Sequence, residues 1–243
     1  MNTMKSTARL TGLAYLGLAI SGVLGLLVVR GQLYVPGDAA ATTANLVEHG
    51  ALARFGVAVD LTTVLTQALA ALWFFTLFRR VSSLAAGAIT AFGIVNSVVI
   101  LGATVFSATA LGVVYADSAS TGDLAATAQL LYELSGTAWD LGGLFFGLWL
   151  IPMGWLAWRS GFMPRALGWV LIGGGVGYVL STYLVYLAPN LTGLSSALTV
   201  PASIGEFWMV GYLLWKGVGS GVVAQGDQTA RGNETDSPLG AAA

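Results

Sequence analysis

The stretch LTGLAYLGLAISGVLGLLVV, Leu10 to Val29, is a run of twenty residues without one charge. At about 1.5 Å of rise per helical residue it spans roughly 30 Å, the hydrocarbon thickness of a bilayer. Lys5 and Arg9 precede it and Arg30 follows. A basic start before an apolar run also describes a secretory leader, but leader cores hold only about 7–15 apolar residues. The stretch therefore reads as a first membrane-spanning helix.

The rest of the chain has the same character. Of 243 residues, 56% are hydrophobic and 9% charged, with a mean hydropathy of +0.79. Soluble domains carry about 25% charged residues because their surfaces face water; ten Lys and Arg with eleven Asp and Glu cannot cover this one. A net charge of −1 offers no basic stripe for nucleic acid. The absence of cysteine excludes disulfides and thiolate chemistry, and a single histidine, His49, excludes multi-histidine metal sites. No nucleotide loop, nucleophile elbow or zinc-protease motif is present. No cofactor is called for.

Charges mark off six spans, at about 10–29, 55–78, 84–106, 127–158, 166–187 and 197–215. The fold class is all-α, an integral membrane bundle of six transmembrane helices in one domain, 1–217. In the first outer loop Val35-Pro36-Gly37-Asp38 is a turn signature, and Ala39 to Glu48 reads as a short helix lying at the membrane interface. The second outer loop carries Asp117 and Asp123. Residues 218–243 are too poor in apolar side chains to pack and are expected to form a disordered tail. Lys5, Arg9, Arg79, Arg80, Arg159, Arg165 and Lys216 fall on one side, and only Arg30 and Arg54 on the other. Positive residues stay in the cytoplasm, so both termini are expected there, in a bacterial inner membrane. Spans one and five share Arg-x-x-Gly and a further Gly (Arg9, Gly12, Gly17; Arg165, Gly168, Gly173), which fits either an internal repeat or the glycine content.

Several strings carry a family resemblance: Val35-Pro36-Gly37-Asp38-Ala39-Ala40, Leu144-Phe145-Phe146-Gly147-Leu148, Arg159-Ser160-Gly161-Phe162, Pro164-Arg165, Leu167-Gly168, Gly177-Tyr178 and Gly205-Glu206. Together they resemble the bacterial family known as domain of unknown function 4386, from about Ala8 to Gly217. The resemblance implies a multi-pass membrane protein and assigns no catalytic residue.

An ionisable residue inside a span costs a few kcal/mol to insert, which makes each a functional candidate. Glu206, Asp140, Asp60 and Glu133 are the acids, and Gln67 and Asn96 the neutral companions. No Lys or Arg sits in the middle of a span, so the acids have no evident basic partner. On span four, Glu133, Gly136, Thr137, Asp140, Gly143 and Gly147 recur at helical spacing and are expected to face the interior. Span two gives Asp60, Thr63 and Gln67; span three Gly93, Asn96 and Ser107; span six Thr199, Ser203 and Glu206. Counting from the inner basic residues puts Asp60 and Asp140 near the outer boundary and Glu206 near the midplane. That geometry is an acid-lined outer vestibule with Glu206 at its floor, and Asp140 is expected to share one interior polar site with Glu206. Gly143-x-x-x-Gly147 and Gly173-x-x-x-Gly177 read as close-packing motifs, and the tryptophans as interface belts and packing. Three functions fit: small-solute or proton-coupled transport; binding, sensing or accessory action on a lipid or small apolar ligand; and, least supported, an intramembrane carboxylate enzyme. The bilayer is the expected partner, together with a small-molecule or lipid ligand and no nucleic acid. A homo-oligomer is compatible with the sequence and not required by it.

Overall fold

The computed structural model describes residues 2–116 and 123–217. Asp117 and the tail 218–243 lie outside these residues. Among the described residues the chain is helical, with no strand. Six helices are long and apolar enough to cross a membrane: Met4–Leu33, Gly50–Phe78, Ser83–Val114, Leu124–Arg159, Arg165–Leu187 and Pro189–Trp215. They are spans one to six below. Each reaches further than its uncharged core, because helices do not stop at the first charge or hydroxyl. Span three continues through the Ser/Ala/Thr stretch after Phe106, where the Ser107 and Thr109 hydroxyls donate to the carbonyls of Thr104 and Val105 at 3.1 and 2.7 Å. Hydroxyls satisfied within their own helix need no water.

Caps fix the starts. Ser82 opens span three and Asp123 span four, accepting from the N–H groups of Ala85 and Ala126. Asp38 does the same for the helix Ala39–Glu48, receiving the Ala41 N–H at 2.9 Å. Before it Gly37 turns the chain at φ 74°, a left-handed conformation that favours glycine. This short helix buries Thr42 and Leu46 and packs mainly on span four.

The spans form a ring in chain order, each against the next, closed by span six against span one. Spans three and four share the most extensive contact, while the register of spans four and five is set by glycines. A Cβ on Gly147 would lie 2.6 Å from the Gly175 carbonyl oxygen, and one on Gly175 2.7 Å from that of Gly147. Two turns inward, Gly154 and Gly168 repeat the reciprocal approach at 2.5 and 2.7 Å. Backbones this near permit Cα–H···O contacts and dense packing, the main attractions between helices in lipid. The Gly173-x-x-x-Gly177 motif divides: Gly177 abuts the Leu198 carbonyl of span six, while Gly173 faces open space. Gly17, its counterpart in span one, meets Thr66, so the matched glycines have unlike neighbours.

Two apolar clusters stand at different heights. The larger, inner one is built on Tyr15, Phe74, Phe78, Trp149, Met153 and Leu167. The smaller, outer one joins Val29, Leu33, Leu46, Ala53, Ala110, Ala128 and Tyr132. Along spans one to four, most of the buried polar side chains fall between them: Ser21, Thr63, Gln67, Asn96, Ser97, Thr104 and Ser135, with Thr11 and Gln129 lying at the heights of the inner and outer clusters. A polar layer at mid-height is what the intramembrane acids adjoin.

Candidate functional site

The floor of the site is Glu206. It sits half-buried on span six, and its Oε1 accepts the Tyr15 hydroxyl of span one at 2.7 Å. Tyr15 is fully buried, edge-on to Phe74 at 5.5 Å and tilted against Trp149 at 6.1 Å. Trp149 in turn rests on Gly93 of span three, where a Cβ would collide with its ring. Its indole Nε1 is buried and has no hydrogen-bond partner within the protein. Tyr178 of span five, edge-on to Phe146 at 5.1 Å, lies within the electrostatic reach of both Glu206 and Tyr15. Spans one and six thus meet at this carboxyl, and Phe74 of span two, Gly93 of span three and Trp149 of span four stand behind Tyr15.

Above it, Asn96 donates from Nδ2 to the Gln67 Oε1 at 2.9 Å, joining spans two and three. Both are buried, and the Gln67 Nε2 has no partner within the protein. The next rung outward is the Thr63 hydroxyl on the Ser21 hydroxyl at 2.8 Å.

Of the two basic residues toward the outer end, Arg30 and the exposed Arg54, the first belongs to the site. Span one does not finish at Val29. It widens into a π-helix, Leu24–Arg30, and continues to Leu33. Arg30 is thereby carried inside the ring. Its Nη2 donates to the Tyr132 carbonyl at 2.9 Å, and its guanidinium lies over the Tyr34 ring at 5.5 Å. Gly136 leaves room for it: a Cβ there would collide with the guanidinium. Arg30 is the cation acting on Asp60 and on Asp140. Asp60 faces span one, its Oδ1 3.2 Å from where a Cβ on Gly25 would be.

The sequence expectations need correcting in three respects. A base does stand within electrostatic reach of the outer acids, Arg30, because the helix runs past the charge at which its apolar core ends. On span four the face turned inward is Gln129, Tyr132, Ser135, Gly142 and Trp149, whereas Glu133, Thr137 and Asp140 are exposed. Trp149 decides this: the bulkiest side chain takes the ring centre and rotates the acids off it. Glu133 keeps to its own helix, accepting from Gln129 at 3.0 Å. Asp140 and Glu206 also keep different partners. Asp140 stands nine residues outward of Trp149, about 14 Å along span four, within electrostatic reach of Arg30, whereas Glu206 is held by Tyr15. Tyr15, Trp149, Tyr178 and Arg30 were not singled out as site residues; a buried tyrosine opposite an acid was the available signal.

Comparison with known proteins adds kinship without chemistry. No solved structure matches. An uncharacterized protein of Archaeoglobus fulgidus is 32% identical over 75 residues, which is 29% of this chain and 43% of that protein. The match therefore spans less than half of the relative's length. The profile of the family described as Domain of unknown function (DUF4386) matches residues 10–217, all of the bundle but the first turns of span one. The chain is a multi-pass membrane protein and belongs to that family.

Proposed function

We propose that this protein carries a small solute across a bacterial inner membrane with the proton as coupling ion, and that Glu206 is the group that takes up and releases the proton. The observation behind it is the Glu206–Tyr15 hydrogen bond at the meeting of the spans. A carboxyl held by a hydroxyl donor inside a bundle is the chemistry of proton relays. A file of hydroxyls and amides leads from it toward Asp60, Asp140 and Arg30. On this reading the approach from outside runs along the exposed Thr137 and Asp140 of span four and Ser196 and Ser203 of span six. Seven basic residues on one side against two on the other support cytoplasmic termini. Purified protein in vesicles carrying a trapped pH indicator tests the reading. Wild-type protein should speed collapse of an imposed proton gradient, alone or with one of a panel of small solutes, and Glu206→Gln should not. Equal rates for both proteins and for empty vesicles across the panel would refute transport. They would leave the second reading, a ligand-binding or accessory role, supported by the dense packing around Trp149.

A further inference from the structure

The inner end of the bundle carries Lys5, Arg9, Arg79, Arg80, Arg159, Arg165 and Lys216. No described acid shares that end. The deepest, Glu206, stands ten residues outward of Lys216, about 15 Å along its helix. Two of these bases rest on rings: Arg159 lies over Trp155 at 5.4 Å and Lys216 over Tyr212 at 6.0 Å. Lys5 and Arg9 are exposed, and neither has a hydrogen bond, ion pair or ring contact with any described residue.

Lys5 and Arg9 are four residues apart on span one, so they share a face with their Cβ atoms about 5–6 Å apart. An open-sided concavity of about 350 Å³ lies there, lined by Lys5, Ser6, Arg9 and Leu10. Span six brings a third cation to its edge. A Cβ on Gly217 would lie 4.0 Å from the Lys5 Cγ, and Lys216 is the residue before it. One anion can thus meet Lys5 and Arg9 together, with the Ser6 hydroxyl as a further donor and Lys216 beside them.

The same face continues outward as an apolar strip. Leu13 and Ile20 follow Arg9 at four and eleven residues, within about 40° of it around the helix. Both are exposed, at 56% and 51%. On one flank of the strip Gly12 meets Leu213 and Leu214 of span six, and on the other Gly17 meets Thr66 of span two. The strip between them is left to lipid, while Tyr15 lies on the far side of the helix against the core. From Arg9 to Ile20 is about 16 Å, half of a roughly 30 Å hydrocarbon core and so the depth of one leaflet. A free phosphate would use the cations alone, whereas a phospholipid uses the cations and the strip. A choline headgroup would set its own cation among three others, so the headgroup that fits carries net negative charge.

We propose that Lys5, Arg9 and Lys216 hold the phosphate of an anionic phospholipid, one acyl chain of which lies along Leu13 and Ile20. This site faces away from Glu206 and does not depend on the transport reading.

The full chain in detergent is titrated with phosphatidylglycerol, with phosphatidylcholine of the same acyl chains, and with glycerol 1-phosphate, and the bound molecules are counted by native mass spectrometry. Phosphatidylglycerol should fill one saturable site at least tenfold more tightly than phosphatidylcholine, and a hundredfold excess of glycerol 1-phosphate should not displace it. Lys5→Gln/Arg9→Gln changes two exposed side chains that hold nothing in the fold. It should weaken phosphatidylglycerol roughly thirtyfold, the attraction of two surface cations for an anionic headgroup, and phosphatidylcholine less than twofold. Arg79→Gln/Arg80→Gln removes equal charge from the same end and should leave both lipids within twofold of the unaltered protein. Neutralising Asp227, Glu234 and Asp236 together should leave binding unchanged. Equal losses in the two arginine-containing double variants would reduce the effect to net charge and overturn the site. Equal affinity for the two lipids, or displacement by glycerol 1-phosphate, would overturn the lipid as its ligand. A tenfold gain on neutralising the three acids would give the groove to the chain's own residues beyond 217 and overturn the proposal in their favour.

Discussion

Replacing Gly147 by alanine tests the packing on which the site depends. The added methyl would lie 2.6 Å from the Gly175 carbonyl oxygen, 2.9 Å from the Tyr178 Cβ and 3.0 Å from a Val179 methyl. A carbon and a carbonyl oxygen approach no nearer than about 3.3 Å even in a favourable contact, so spans four and five must part by roughly 0.7 Å. Backbone atoms cannot swing aside as a side-chain end can. The paired glycines two turns away hold the same seam, so parting at one pair loosens the other. Overpacking of this kind costs about 1–3 kcal/mol, and exchanging helical glycine for alanine returns up to about 1 kcal/mol. The expected net loss is about 1–2 kcal/mol. Gly173→Ala is the control, because a Cβ there meets nothing within 4 Å; it should be neutral or slightly stabilising. Reversible unfolding of both variants in mixed micelles, with denaturing detergent as the variable, gives the numbers. In the double variant Gly147→Ala/Gly175→Ala the second change should cost less than the first, since the helices are already apart. A Gly147→Ala protein as stable as the Gly173→Ala one would show that the seam has slack and that the argument from its contacts fails.

Asn96→Ala should lose about 1 kcal/mol in the same assay, since a membrane hydrogen bond is worth about 0.6 kcal/mol on average and Gln67 would be left with neither amide atom partnered; an unchanged protein would mean that the amide pair is idle. The chain has no native cysteine, so Asp140→Cys and Ser203→Cys should react with a membrane-impermeant thiol reagent while the buried Ser135→Cys should not; silence at both 140 and 203 would close the approach from outside. A reporter fused after Gly217 should read as cytoplasmic, and an external signal there would invert the assigned topology.

The six spans were legible because a bilayer imposes one length on every helix that crosses it, and uncharged runs of that length are scarce in other proteins. Their ends were less legible. Charge marks where hydrocarbon stops, whereas hydrogen bonding decides where a helix stops, and Arg30 lies between the two limits. Which face of a span turns inward depends on volume as well as polarity. Periodicity drew Glu133, Thr137 and Asp140 onto one stripe correctly, but the stripe could not show that Trp149 would claim the centre. The pairing of Glu206 with Tyr15 joins residues 191 apart in the chain, and no local pattern encodes such a partner. Gln67 and Asn96 were recognisable as polar misfits, and the structure makes them each other's solution.

The π-helix of span one has a consequence for how the chain tolerates changes in length. A turn closed from each residue to the fifth beyond it holds one residue more than an α-turn. Removing one residue from Leu24–Arg30 would let the turn close in the ordinary way, leaving Tyr15 on one side and Leu33 on the other in their present orientations. The same deletion elsewhere in span one would rotate everything beyond it by about 100°. This segment is thus the place in the span where a codon can be lost or gained without scrambling the bundle. A homologue one residue shorter there would keep both the Tyr15–Glu206 contact and the inward reach of the arginine at the segment's end.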